Sequence, residues 1–177
     1  MQVVAASERA RSELDLETRE VRIVEIDVAV RPFGPRFGSL VHVTLATIPL
    51  DSAAGEIRAS AQLNGRILGA SGDEVEAAVT TVTAALQHPL MERARKAAAS
   101  GQCYREVPLT LREEDSTLVE GFADMAFRED DKWIVVDFKT DQELAAAVGR
   151  YRRQVAIYAT AISKATSSSS EAFLFRL

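Results

Sequence analysis

Cysteine is almost missing from this chain. The single Cys103 among 177 residues excludes an internal disulfide and cannot supply a four-thiolate zinc or iron–sulfur site. Long apolar runs are missing as well. None approaches the ~20 residues of a membrane-spanning helix, and the opening MQVVAASERARSELD has no signal-peptide core. The expectation is a reducing, cytoplasmic setting without a membrane partner. No G-x-x-x-x-G-K-S/T phosphate loop occurs, so this chain has no ATP site and is not a motor by itself. Positive charge is not in excess either. Lys and Arg number 21 against 26 Asp and Glu, a net charge of −5, which counts against a clamp that holds nucleic acid through broad phosphate contacts. It leaves room for an acidic pocket neutralised by a bound cation.

What is present is an ordinary globular balance, 47% apolar and 27% charged, with enough length for one domain and a real core. Residues 1–20 are polar and helix-permissive, with no clear apolar face. From Val21 to Arg31 the apolar Val24, Ile26, Val28 and Val30 alternate with Glu25, Asp27 and Ala29, a half-buried strand. RPFGPRFG (31–38) reads as a loop, and Ser39–Ala46 as a short helix. Residues 51–72 give no clear element. Asp73–Gln87 and Pro89–Ser100 read as helices, with Gly101 as a stop. Strand signals then dominate over Cys103–Leu111, Thr117–Arg128 and Lys132–Thr140. A long helix follows over Gln142–Lys164, striped with Leu144, Val148, Tyr151, Val155, Tyr158 and Ile162. ATSSSS (165–170) reads as a polar connector and AFLFRL (172–177) as a last strand. Short connections make the three strands an antiparallel meander. The helix crosses over to lay the last strand parallel to one of them, giving an α/β fold with a mixed sheet.

The chemistry concentrates in EGFADMAFREDDKWIVVDFKTD (120–141). A turn at Asp130-Asp131 sets Glu129 opposite Lys132, and the same register sets Asp124 opposite Asp137, with Cβ atoms about 4.5–5.5 Å apart. Facing carboxylates repel, which makes them a poor structural device unless a divalent cation sits between them. Hard oxygen donors suit Mg²⁺ or Mn²⁺. Lys139, two residues beyond Asp137, points to the same face, while Phe138 points into the core with Val136 and Ile134. Such a group could hydrolyse a phosphodiester: the metal polarises the phosphoryl oxygen and acidifies a bound water, and Lys139 orients that water or offsets transition-state charge. The plain alternative is an exposed hairpin face of solvated charges with Lys139 bridging the acids.

These motifs together resemble the nuclease domain of RecB and AddA helicase–nucleases, a branch of the PD-(D/E)xK superfamily found at the C-terminus of UvrD/Rep-like helicases. The resemblance is carried by G-F-A-D at 121–124, V-V-D-F-K-T at 135–140 and Y-R-R-Q-V-A-I-Y at 151–158, and it covers roughly Phe37 to Leu177. It implies a restriction-endonuclease-like αβββαβ core, a central mixed sheet flanked by helices, with extra N-terminal helices. It divides the chain into residues 1–35, an extension or linker with a strand, and 36–177, the nuclease domain.

The same resemblance assigns roles. Asp124, Asp137, Lys139 and Gln154 would be catalytic. His42, in F-G-S-L-V-H at 37–42, would join Asp124 and Asp137 as a metal ligand. Glu106, Tyr151, Arg152, Arg153 and Tyr158 would support the site or bind DNA, and His88 would serve packing. The implied activity is that of a Mg²⁺- or Mn²⁺-dependent deoxyribonuclease, exonuclease rather than endonuclease, serving DNA end processing and recombinational repair. Its substrate would be single-stranded DNA or duplex ends. A helicase, on a longer chain or in a partner protein, would supply the motor, and no iron–sulfur cluster is expected. The competing expectation is a catalytically silent module that binds DNA or docks a partner.

Overall fold

The computed structural model describes residues 2–11, 19–27, 32–140 and 144–177, the side chains of 144–146 excepted. Strand β1 (Val3–Ala5) and helix α1 (Ala6–Arg9) open the chain, followed by β2 (Val21–Glu25). Four helices come next: α2 (Pro35–Thr47), α3 (Ala54–Leu68), α4 (Gly72–Gln87) and α5 (Pro89–Ala99). Then β3 (Cys103–Arg112), β4 (Leu118–Glu129) and β5 (Lys132–Lys139) lead to α6 (Leu144–Thr166) and β6 (Ser169–Arg176). The β3–β4–β5–α6–β6 order is the one expected. The chain forms two compact units. One holds residues 1–24, 102–137 and 143–175; the other holds 25–101, 138–142 and 176–177.

In the first unit the three-strand meander is antiparallel throughout. The hairpin turn falls at Asp130 and Asp131, with Asp130 at φ 52, a left-handed conformation that Asp tolerates in tight turns. The β4–β5 ladder runs from Glu129↔Lys132 to Met125↔Val136, the anticipated register. Helix α6 lays Tyr151, Val155, Tyr158 and Ile162 into a core shared with Leu111, Val119, Ala123, Ala126 and Val135. Burying each such side chain is worth roughly 1.5–3 kcal/mol.

Strand order across the sheet is β1-β4-β5-β6-β2, with β3 also paired to β4. Strand β6 lies beside β5 and runs parallel to it: Lys132 pairs with Glu171 near their starts, and the Leu177 N–H donates to the Lys139 carbonyl at their ends. The sheet is therefore mixed.

Several elements differ from the sequence reading. Helix α2 starts at Pro35, inside the stretch read as a loop, because proline's fixed φ suits a first helical position. Helix α3 fills the unread stretch, burying Ile57, Ala61 and Gly65 at intervals of four. Residues 3–5 form a strand, parallel to β4 at Leu118–Glu120. Of the strand read over 21–31, Val21–Glu25 is strand, and residues 28–31 lie outside the described ones. Ser169 and Ser170 belong to β6 rather than to a connector.

Within the second unit α2, α3 and α4 pack on one another, and α5 follows α4 across His88. The His88 Nδ1 accepts the Leu90 N–H at 3.1 Å, so this histidine caps α5. Helix α4 begins with a reciprocal cap between Ser71 and Glu74, and Arg36 bridges to the same Glu74 carboxylate at 2.9 Å. That guanidinium is the first cause holding the Glu74 carboxyl below its ordinary range.

Candidate active site

Strand β4 has two different neighbours along one edge. Strand β3 covers the other edge from Leu118 to Phe127, so β1 and β5 must share what remains. Strand β1 takes Leu118–Glu120 and β5 takes Met125–Glu129. Among the described pairings, the stretch left between those two ladders is Gly121, Phe122, Ala123 and Asp124, the G-F-A-D motif itself. Asp124 stands at the closed end of this gap. The next position of the β4–β5 register sets it across from Asp137.

The two carboxylates are differently housed. Asp124 is half-buried, whereas Asp137 is 2% exposed, within a run Ile134–Phe138 that is buried at every residue. The solvated hairpin face considered from the sequence is therefore not what β5 presents at Asp137. A buried carboxylate is costly unless neighbours or a cation compensate it. Its Oδ2 is buried and accepts no hydrogen bond from a described residue, although Asp137 as a whole is not without a partner. Lys139 follows two residues later, half-buried, at the end of β5.

Across β4 from the gap lies Glu106 on β3. The β3–β4 ladder keeps one register on both sides of it, with Arg105↔Met125 and Val107↔Ala123, so Glu106 lies opposite Asp124. Its φ is 50, a left-handed conformation rare for a non-glycine strand residue and a kind of strain that collects at functional sites. Three acidic residues thus come into one row across β3, β4 and β5.

Gly121 is explained by α6. A Cβ there would lie 2.8 Å from Cε1 and 3.1 Å from the hydroxyl of Tyr158. The Tyr158 hydroxyl in turn accepts from Gln154 Nε2 at 2.7 Å. Two motifs of the sequence, G-F-A-D and Y-R-R-Q-V-A-I-Y, are thereby joined through one tyrosine that is 3% exposed. Tyr151, also buried, receives a hydrogen bond from Arg150, whose guanidinium stacks 4.8 Å over its ring. Arg153 donates to the Ala10 carbonyl at 2.7 Å and so ties α1 to α6. Arg152 is exposed and reaches the Val21 carbonyl at 3.4 Å.

His42 sits on α2 in the second unit. Its ring meets Phe138 edge-on, centroids 6.3 Å apart, and Phe138 is the residue between Asp137 and Lys139. One turn earlier on the same helix a Cβ on Gly38 would lie 2.8 Å from Thr140 Oγ1. The glycine of F-G-S-L-V-H thus lets α2 approach the end of β5 closely. Among the described residues, no three His, Cys, Asp or Glu side chains already converge as a metal-holding group.

The profile of the PD-(D/E)XK nuclease superfamily matches residues 9–177. The chain belongs to that superfamily. Its nucleases generally use divalent metals, and a mixed sheet with the β3–β4–β5–α6–β6 order is the corresponding fold. Three curated relatives are ATP-dependent helicase/nuclease subunits. That of Alkaliphilus oremlandii is 28% identical over 159 residues, 78% of this chain and 13% of the relative. That of Alkaliphilus metalliredigens is 26% identical over 156 residues, with the same shares. That of Heliobacterium modesticaldum is 39% identical over 69 residues, 32% of this chain and 5% of the relative. The chain spans about an eighth of the length of the first two. Among the described residues no helix is long and apolar enough to cross a membrane.

Proposed function

We propose that this chain is the nuclease domain of a helicase–nuclease and that it hydrolyses DNA phosphodiesters with a Mg²⁺ or Mn²⁺ ion. The observation that carries the reading is the buried Asp137 one register step past the β4–β5 ladder, across from Asp124. Acidic oxygen donors in that arrangement fit a hard divalent cation, and the family resemblance adds His42 as a further ligand. When bound, the cation supplies Lewis acidity and a more acidic water. The chain's own residues do the rest. Lys139 offsets negative charge that grows on the phosphoryl group. Gln154, held by the Tyr158 hydroxyl, orients a substrate or water oxygen. Glu106 tunes the site from the neighbouring strand. Arg152, exposed and only weakly engaged, is the better phosphate contact than Arg153, which is committed to Ala10.

Exonuclease action on single strands or duplex ends, with a helicase as the motor, is part of this reading. It draws support from the helicase/nuclease relatives. The test is cleavage of an end-labelled oligonucleotide in Mg²⁺ or Mn²⁺. Asp137→Ala and Lys139→Ala are each expected to lower the rate at least ~10³-fold, about 4 kcal/mol of barrier, with unchanged circular dichroism. Undiminished cutting by either variant would sink the assignment. The net charge of −5 motivates a second reading, a silent module that binds DNA or a partner without product. A metal-dependent ladder of fragments excludes it.

A further inference from the structure

We infer that Phe122, with Pro108 beside it, is a stacking platform for a base of single-stranded DNA entering the candidate site; this rests on the nuclease reading above. Phe122 is 60% exposed although it lies in the middle of a twelve-residue strand. A single exposed apolar residue is common and proves little. Its position is what matters. Phe122 lies inside the four-residue gap between β1 and β5, two residues before Asp124, roughly 7 Å along the strand and within the reach of one nucleotide.

Its neighbours fix the chemistry of the ligand. Ala123, the next residue, is fully buried, and Gly121, the one before, lies under Tyr158, so the ring is turned out from a rigid backbone. Directly opposite on β3 stands Pro108, also exposed. Among the described residues β3 pairs only with β4, and such an edge tolerates a proline. Phenyl and pyrrolidine rings side by side offer a flat apolar surface. Of the exposed residues around it, Glu106 and Glu120 are acidic and repel phosphates, and Thr110 carries no charge. Grip here comes from the faces of bases, which carry no charge and stack on aromatic rings irrespective of sequence. A duplex keeps those faces occupied by its own stacking, so the occupant is a single strand.

The test is steady-state cleavage and 2-aminopurine fluorescence of a short single-stranded oligonucleotide with the wild-type chain and Phe122→Ala, Phe122→Leu and Phe122→Trp. Phe122→Ala is expected to raise KM about tenfold while moving kcat far less. Phe122→Trp restores KM, and Phe122→Leu does not. Placing an abasic nucleotide at the stacked position makes wild type and Phe122→Ala alike. A wild-type KM in Phe122→Ala, or full recovery by Leu, overturns the platform and leaves the nuclease standing. A wild-type chain that neither binds nor cuts single strands overturns both.

Discussion

Strands β5 and β3 flank β4 on opposite edges and are built on opposite plans. In β5 five consecutive residues, Ile134 to Phe138, are buried on both faces, and Asp137 is among them. In β3 half-buried and exposed residues alternate from Cys103 to Thr110, with a proline at 108 and a left-handed glutamate at 106. The contrast separates two tasks. A strand enclosed on both faces holds a carboxylate where water competes little, which magnifies its effect on a cation or a phosphate. An edge strand can carry irregularity and exposed rings because fewer ladder bonds depend on it. The proposed site would draw on both, and β4 is the strand that β3 and β5 share.

The exchange at Asp137 on β5 should act on chemistry, and those at Gly121, Tyr158 and Glu106 chiefly on stability. The sharpest case is Asp137→Asn against Asp131→Asn, the latter on the exposed hairpin turn. The first is expected to remove cleavage at an unchanged melting temperature, while the second leaves both alone. Equal activity in the two would erase the distinction.

Next in size is Gly121→Ala, whose new methyl must displace the Tyr158 ring. A loss of about 1–3 kcal/mol is expected in urea unfolding. Combining it with Tyr158→Leu should cost less than the sum of the two single changes, as coupled neighbours do. Strict additivity would show that the contact is slack.

Glu106→Gly should raise stability by about 1 kcal/mol through relief of the left-handed strain, and Glu106→Gln should change it by less than about 0.5 kcal/mol. If the glycine variant were no more stable, the conformation at 106 would carry no cost, and β3 would lose its claim to strain.

The smallest effect belongs to the α4–α5 junction. Burial pushes the His88 imidazole below its ordinary value, and its Nδ1 must stay unprotonated to accept the Leu90 N–H. The unfolded chain therefore binds this proton more readily than the folded one. The contribution is whole above the ordinary histidine pKa, about 6.5, and is lost as pH falls through the lower folded value. His88→Asn, which keeps a cap, should flatten the fall in melting temperature between pH 7 and 5. An unchanged slope would put that titration elsewhere.

The hairpin was the most legible part of the site. Its turn residues are local, and one turn position sets every pair up to Asp124 and Asp137. Helices α4 and α5 were equally clear, the first from its alanine-rich run and the second from Pro89 at its start and Gly101 after its end. Helix α3 was not, because Gly55 and Gly65 weaken its local signal and its packing partners lie on other helices. Arg152 and Arg153 looked alike in the sequence, yet one is exposed and the other is tied to a carbonyl 143 residues away. Phe122 passed as a spacer within G-F-A-D, since alternation alone does not tell which residues of a central strand reach solvent.

By itself, then, the sequence determined what neighbouring residues can settle: the meander, its register from Glu129↔Lys132 to Met125↔Val136, and the family that these motifs imply. Tertiary structure alone decided that both faces of β5 are covered, that Val3–Ala5 pairs with β4 more than a hundred residues away, and that β1 and β5 leave G-F-A-D between them. Those features arise from contacts between distant segments. Their stabilisation appears only after the chain has closed the loops that join them, and no local pattern of residues records it.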